Sequence, residues 1–391
     1  MPGIYIHIPF CRQACHYCNF HFSTSLKQKR EMIEAMINEI KLTSLLSYQD
    51  NLSSVVSIPE NVETIYFGGG TPSLLSADDI DALLGALKQN FVLEPAAEIT
   101  LEANPDDIDA MKLKDWKSAG INRLSLGIQS FYDSDLLWMN RAHNAKQAMD
   151  SIGLIKKAGF TNFSVDFIYG TPTLNDDDWE KNIQSVIDLD VPHLSCYALT
   201  VEPNTALHKM IGLKKLAPVD PEKQASQFLM LIHMLEKNGY EHYEISNFAK
   251  PGFRSRHNSS YWQGKYYAGI GPSAHSFFGN KRKWNISNNA LYIQSLQKNI
   301  IPFEEEVLTE TMQLNEYIMT SLRTIEGLDL DYVTIKFGED KSRQIKEEAF
   351  KFIQNKQLLD PEDFPNIPNR LNLTTEGKLF ADGIAAALFF V

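Results

Sequence analysis

Residues 4–20 read IYIHIPFCRQACHYCNF, and three of the chain's four cysteines fall inside them. Ile4–Ile8 reads as a strand, because isoleucine recurs at every second residue and alternate strand residues share a face. Cys11, Cys15 and Cys18 follow it in a CxxxCxxC spacing, in the loop at the strand's C-terminal end. Such clustering points to metal or redox chemistry and not to a disulfide framework. Thiolates are the standard ligands of iron–sulfur clusters, and a cubane usually takes four. Three closely spaced ligands hold three irons and leave the fourth open, which is where cofactor chemistry happens. The competing reading is a zinc ion with His7, His16 or His21 as fourth ligand. Zinc sites more often pair two CxxC units, and only the isolated Cys196 lies downstream. Cys196 itself sits in an apolar run and reads as a buried structural thiol.

Outward from this stretch, short apolar runs alternate with helical patterns. Lys27–Leu46 reads as a helix, and Glu63–Phe67 as a strand ending in Gly68–Gly69–Gly70. Asp78–Asn90 is helical with Ser76 as N-cap, Glu98–Ala103 is a strand, and Asp109–Ala119 is a helix stopped by Gly120. The pattern repeats through strand Arg123–Ile128, helix Asn144–Ala158, strand Asn162–Tyr169, helix Asp176–Leu189 and strand His193–Leu199. It closes with helix Pro221–Asn238 and a further strand, Tyr240–Ile245. Serial βα units imply a parallel sheet, since each crossover returns the chain to the same edge. The expected fold class is therefore α/β, a partial (β/α)6-type TIM barrel with the cysteines on the face that carries active sites.

The character changes near Ile300. Helices are expected at Thr311–Arg323, Leu330–Phe337 and Lys341–Asn355. A β-wing from Leu358–Asp360 and Arg370–Thr374 and a helix Glu376–Leu388 follow. This reads as a small winged-helix-like α+β domain, dividing the chain into residues 1–300 and 301–391. With 37 basic against 49 acidic residues the net charge is −12, so no nucleic-acid partner is expected. At 43% hydrophobic and 22% charged, the composition is that of a globular chain able to bury a core without disulfides. No apolar run reaches the ~18 residues of a membrane span, and the tail Gly383–Val391 is too short. No basic segment followed by an apolar one opens the chain, so a cytoplasmic location is expected.

Further polar and glycine residues fall at or just after strand ends, where a barrel binds its ligands. They are the loop Gly68–Gly69–Gly70–Thr71–Pro72, Glu102 in LEANP, Gln129 in GIQSF, Arg141 in NRAH and Asp166 in VDFIYGTP. Glycines let backbone approach a ligand closely, and a carboxylate at a strand end can accept ribose hydroxyls. On its residues alone, His257-Asn-Ser-Ser-Tyr261-Trp262 reads as a loop with a surface histidine and packed aromatics.

Tyr5-Ile-His7-Ile-Pro-Phe-Cys11, with Cys15, Tyr17 and Cys18 behind it, resembles the radical S-adenosylmethionine superfamily. Within that superfamily it resembles the branch of oxygen-independent coproporphyrinogen III dehydrogenase (HemN) and the heme chaperone HemW. The resemblance covers nearly the whole chain. It implies a four-iron, four-sulfur (4Fe–4S) cluster on Cys11, Cys15 and Cys18, with the open iron chelating S-adenosylmethionine for reductive cleavage to a 5′-deoxyadenosyl radical. The cofactor carries that chemistry, and the protein supplies binding and orientation. By resemblance, Gly69, Gly70 and Thr71 bond the methionyl amino group and Glu102 the ribose. Tyr17 and Ala198 offer main chain, and Tyr5 lies beneath the cluster. Gln129, Arg141 and Asp166 match positions that engage a second S-adenosylmethionine in the HemN branch.

Two features divide the branches. The decarboxylating enzymes carry CxxxCxxCxC, and here that last position is Phe20. HNSSYW matches the HNxxYW motif of the heme-chaperone branch. The resemblance thus implies a heme chaperone binding heme through His257, Asn258, Tyr261 and Trp262 and passing it to client hemoproteins, respiratory cytochromes among them. A heme-linked dimer and a peripheral membrane association through clients are implied with it. The radical machinery is expected without coproporphyrinogen dehydrogenase activity; no catalytic residue is assigned, and the cluster would gate heme transfer or dimerisation. The rival enzyme would decarboxylate two propionates of coproporphyrinogen III to vinyls with the same cluster.

Overall fold

The structure is a computed structural model describing residues 3–50, 61–359 and 369–391. Six strands lie side by side in chain order, all parallel: β1 (Gly3–Ile8), β2 (Asn61–Gly69), β3 (Val92–Ala103), β4 (Arg123–Gln129), β5 (Phe163–Tyr169) and β6 (His193–Ala198). A major helix follows each: Lys29–Asp50, Ala77–Asn90, Ala110–Ala119, Ala145–Lys157, Asp176–Asp188 and Pro221–Lys237. Their ends are written locally. Ser76 with Asp79, and Asn144 with Gln147, form reciprocal capping boxes. Asp109 caps its helix, and Gly120 ends it at φ 112°, a conformation glycine adopts without strain.

Strand residues sort by parity. Ile4, Ile6, Ile8, Phe67, Leu101, Leu124, Leu126, Val165 and Leu194 point outward and are sealed under the helices in one core, which also takes Cys196. The intervening residues are mostly polar and face inward. The barrel interior is therefore a polar chamber inside an apolar wall.

The six parallel strands do not close into a barrel. Beyond β6 the sheet continues through β8 (Asn247–Ala249) to β7 (Glu241–Glu244), both antiparallel. The strand expected at Tyr240–Ile245 exists, but it is not another parallel unit. Two residues separate it from β8, enough for a hairpin and far too few for a parallel crossover. Beyond β1, β9 (Tyr267–Ile270) adds in parallel. The sheet then runs antiparallel through β10 (His275–Phe277), β11 (Lys281–Asn285) and β12 (Phe303–Val307), giving twelve strands among the described residues.

A second core, with Leu314, Ile318, Val333, Ile345, Leu371 and Ile384 at its centre, begins past the sheet's last strand. Helices Glu310–Leu322, Leu330–Phe337, Glu339–Gln354 and Ala381–Ala387 surround it. Of the expected wing, Arg370–Leu371 is a strand, but its partner is Leu328–Asp329; Leu358 makes a single bridge to Leu373. Asp360 lies outside the described residues. The second core abuts the β7 edge, where Arg323 pairs with Glu244 at 3.4 Å and Ile325 N–H donates to the Tyr243 carbonyl. Among the described residues no helix is long and apolar enough to cross a membrane.

Candidate cluster and cofactor site

The C-terminal ends of β1–β6 surround a cavity of about 410 Å³, within the ~300–1,000 Å³ range usual for small-molecule sites. Cys11, Cys15 and Cys18 all line it. The loop bearing them is pinned at both ends, because Cys11 N–H donates to the Ser23 carbonyl (3.0 Å) and Ser23 N–H to that of Pro9 (2.9 Å). Its middle is held from across the barrel. Asn140 Nδ2 donates to the Ala14 carbonyl (2.7 Å) and His16 N–H to that of Met139 (3.1 Å).

Burial pushes the Cys11 thiol up to about 11 and raises that of Cys18. The Thr71 hydroxyl, 3.5 Å from Cys11 Sγ, and the Arg141 charge counter this, and Arg141 Nη1 lies 3.4 Å from Cys15 Sγ. The pocket thus offers hydrogen bonds suited to thiolate sulfur. Among the described residues, no three of His, Cys, Asp and Glu converge as ligands of one metal ion do. A cubane gives each thiolate its own iron and needs no such convergence. The histidines considered for zinc also have other duties. His7 donates from Nε2 to the His21 carbonyl (2.8 Å) and faces Tyr5 through Nδ1, His16 bonds the Trp138 carbonyl, and His21 bonds Asn289.

The glycine loop is strapped to the cysteine loop. Gly70 N–H donates to the Ile8 carbonyl (2.9 Å) and Thr71 N–H to that of Phe10 (2.7 Å). A Cβ on Gly70 would stand 2.5 Å from the Phe10 carbonyl oxygen, so that glycine is required by packing against β1 before any ligand arrives. Gly69, at φ 105°, is required by its backbone.

Glu102 accepts from the Tyr66 hydroxyl at 2.8 Å. Burial, with Asp166 nearby, pushes its carboxyl up to about 8, and burial pushes Asp166 to about 6. Both carboxyls line the cavity, where a ligand's hydroxyl or ammonium groups would supply what burial has removed. Gln129 lines it from a β-bulge at φ 67°, backbone strain of the kind that gathers at binding sites. Arg141 Nη2 donates to Asn104 Oδ1 (2.7 Å) and to the Gly127 carbonyl (2.8 Å), so one guanidinium joins cysteine loop, LEANP segment and bulge; its buried Nε has no partner among the described residues. Gly69, Gly70, Thr71, Tyr17 and Ala198 also reach the cavity. Tyr5 does not; it stacks on Tyr66 at 6.1 Å, one layer below. Sequence reasoning missed Asn104, Ser125, Ile168 and Tyr197. Counting by twos along each strand from Gln129 and Asp166 would have found Ser125 and Ile168.

HNSSYW lies elsewhere. Its helix, Arg256–Trp262, sits at the opposite end of the chamber, against the starts of β1–β3. Glu98 accepts from the backbone N–H of Arg256 and of His257. His257 is 1% exposed, and both ring nitrogens are engaged: Nδ1 with Thr64 Oγ1 and Nε2 with the Tyr261 hydroxyl, each at 2.8 Å. Burial, and the nearby Arg123 guanidinium, hold the ring neutral, down to about 3. The imidazole expected to meet heme thus lies buried in this fold, with both ring nitrogens in hydrogen bonds. Tyr261 uses its hydroxyl on His257 and its ring on Tyr267 (4.6 Å), Arg323 lies 5.3 Å over Trp262, and Asn258 is half-buried on the same helix.

Residues 5–186 match the radical SAM superfamily model. The chain is 33% identical to the heme chaperone HemW of Bacillus subtilis over 393 residues, covering 99% of both. It is 36% identical to that of Haemophilus influenzae over 275 residues, 70% of this chain and 69% of that one. It is 30% identical to the mitochondrial radical S-adenosyl methionine domain-containing protein 1 of Danio rerio, covering 98% and 85%. Coproporphyrinogen III oxidase (HemN) from Escherichia coli shares the fold at a TM-score of 0.82 and 21% identity, covering 99% of this chain and 90% of that one.

Proposed function

The chain belongs to the HemW family of radical S-adenosylmethionine proteins, and from that premise we propose that it is a heme chaperone that binds heme and delivers it to client hemoproteins. The observation that carries the reading is one cavity lined by three cysteines, a glycine loop, Glu102, Gln129, Arg141 and Asp166, with Phe20 at its rim where the decarboxylating enzymes have a further cysteine. Cys11, Cys15 and Cys18 would hold the 4Fe–4S cluster. When bound, that centre supplies one-electron chemistry to S-adenosylmethionine. Gly69–Thr71 would orient the methionyl end with main-chain groups, and Glu102 would accept the ribose hydroxyls. Gln129, Arg141 and Asp166 would meet the remaining polar atoms. The sealed wall of the chamber keeps bulk water from that chemistry. In this reading the protein works in the cytoplasm, meets membrane-bound cytochromes peripherally through those clients, and forms a dimer joined through heme.

The test is anaerobic reconstitution followed by hemin titration and transfer to an apo-cytochrome. The reading expects iron and sulfide near four per chain, stoichiometric hemin binding and transfer. Failure to bind hemin, or conversion of coproporphyrinogen III to protoporphyrinogen, would sink it.

A further inference from the structure

Each thiol of the cysteine loop has a hydrogen-bond donor, and the donors differ in kind. Cys11 Sγ has the Thr71 hydroxyl, at 3.5 Å. Cys18 has the backbone N–H of Phe20. Cys15 Sγ has Arg141 Nη1, at 3.4 Å. Of these three donors only the last carries a full charge, and an arginine keeps that charge throughout the pH range of a folded protein.

The fold fixes this guanidinium from two directions. The segment that carries it is tied to the cysteine loop itself. His16 Nδ1 donates to the Trp138 carbonyl (2.9 Å), and Gln13 Nε2 donates to Asn140 Oδ1 (2.9 Å). Asn140 turns the chain after helix Asp133–Trp138 at φ 59°, a left-handed conformation that asparagine takes at low cost. Arg141 N–H then closes on the Leu136 carbonyl (2.8 Å). From the strand side, Asn104 Oδ1 and the Gly127 carbonyl hold Nη2. Gly127 leaves room for it, since a Cβ there would stand 3.1 Å from that nitrogen. A guanidinium is planar, so holding Nη2 leaves Nη1 little freedom to leave Cys15.

We propose that Arg141 sets the reduction potential of the cluster through Cys15. The assignment rests on the cluster reading of the three cysteines and adds to it a control over the electron. Reduction, by one electron from an external donor, adds negative charge to a centre whose thiolates are already negative. A charged N–H on one of those sulfurs stabilises the reduced form more than the oxidised form, so the midpoint potential rises. Screening by solvent is weak there, because the guanidinium reaches Cys15 from a position where its own Nε is buried. Arg12 supplies the contrast. It carries the same charge in the same loop, beside Cys11, but its side chain is 54% exposed and is spent on Asp107 at 2.6 Å. Water and the carboxylate cancel most of what it would do. A higher midpoint lets a weaker reductant load the cluster and leaves less driving force for the step that electron next performs. In this role Arg141 acts through Cys15, as a positioning residue.

The test is a dithionite potentiometric titration of the reconstituted full chain, without S-adenosylmethionine, followed by electron paramagnetic resonance of the reduced cluster. Arg141→Met is expected to keep iron and sulfide near four per chain and to lower the midpoint by about 59 mV or more, a tenfold change in the ratio of oxidised to reduced cluster for one electron. Arg12→Met is expected to move it by much less. A wild-type midpoint in Arg141→Met with a full cluster, or an equal shift in Arg12→Met, would overturn the assignment and leave the cluster reading standing. A wild-type chain that holds no four-iron cluster would overturn both. Should Arg141→Met fail to assemble its cluster, the wild type grown on arginine labelled with nitrogen-15 in the guanidinium decides. Pulsed resonance of its reduced cluster is expected to show a coupled guanidinium nitrogen, and no such coupling would overturn the assignment.

Discussion

The two ends of the same polar chamber use similar residues to opposite purpose. At the C-terminal ends of the strands, three thiols, the Glu102 and Asp166 carboxyls and the Arg141 Nε line or adjoin a cavity with bonding capacity left over. At the N-terminal ends, His257, Thr64, Tyr261 and Glu98 are consumed by one another. Burial holds His193 and His257 neutral, and Arg123, buried beside them with no side-chain hydrogen-bond partner among the described residues, adds a charge that acts the same way. The contrast teaches that residue types alone do not declare a ligand site. What distinguishes a site from a plug is which polar groups the fold itself leaves unsatisfied.

The comparison breaks most sharply at the cysteines. Any one of Cys11→Ala, Cys15→Ala or Cys18→Ala should cut iron and sulfide after reconstitution from near four per chain to a small fraction, while Cys196→Ala should leave the count unchanged. Equal losses in all four variants would mean that the core thiol, not the loop triad, matters. The plug should fail differently. His257→Ala removes a buried ring stacked on Tyr66 at 5.0 Å and strands the Thr64 and Tyr261 hydroxyls. A loss of about 3–5 kcal/mol in urea unfolding is expected, from the cavity plus the unpaired groups. A loss under about 1 kcal/mol would mean the plug is not structural.

What the sequence disclosed follows the same division. The six βα units were legible because their punctuation is local: Ser76, Asn144 and Gly120 each mark a helix end by their own chemistry. The cysteine spacing was legible because thiolates in one short loop have few other uses. Strands β8–β12 were not, since each is three to five residues long and two of them, KRKWN and FEEEV, carry a run of three charges beside a single ring. β9 adds to β1 in parallel and the others pair antiparallel toward the two ends of the sheet, where no long apolar run is needed. HNSSYW is ambiguous for a physical reason: an imidazole and two aromatic rings look alike whether they face a porphyrin or fill a barrel floor. Only burial decides, and burial there depends on Gly3, whose Cβ would stand 2.9 Å from the His257 ring.

A smaller effect separates the ends by pH. Glu102 titrates near 8 in the folded cofactor-free protein against an ordinary 4.5, so the folded state holds its proton more tightly than the unfolded state does. Its contribution to stability is therefore fully present below pH 4.5 and lost as pH rises through 8. Glu102→Gln, which keeps a neutral group that can accept from Tyr66, should flatten the fall in Tm between pH 5.5 and 8 that the wild type shows. It should also weaken S-adenosylmethionine binding. An unchanged slope would mean that the carboxyl reaches water and that the upper cavity is wetter than its lining suggests.

The smallest expected effect belongs to Phe20, and its smallness is the point. Its ring is 66% exposed at the cavity rim, so Phe20→Ser should change stability by less than about 0.5 kcal/mol in urea unfolding. It should leave iron and sulfide unchanged, because the three loop thiols and the hydrogen bonds of Cys11 to Thr71 and of Cys15 to Arg141 are untouched. A large apolar ring held in water without a packing role invites contact with something that arrives later, and an arriving client or porphyrin would cover it. Heme transfer to an apo-cytochrome should then slow while hemin binding at equilibrium holds. If transfer and binding are both unaffected, Phe20 marks the absence of a fourth cysteine and nothing more, and the working rim of the cavity lies elsewhere.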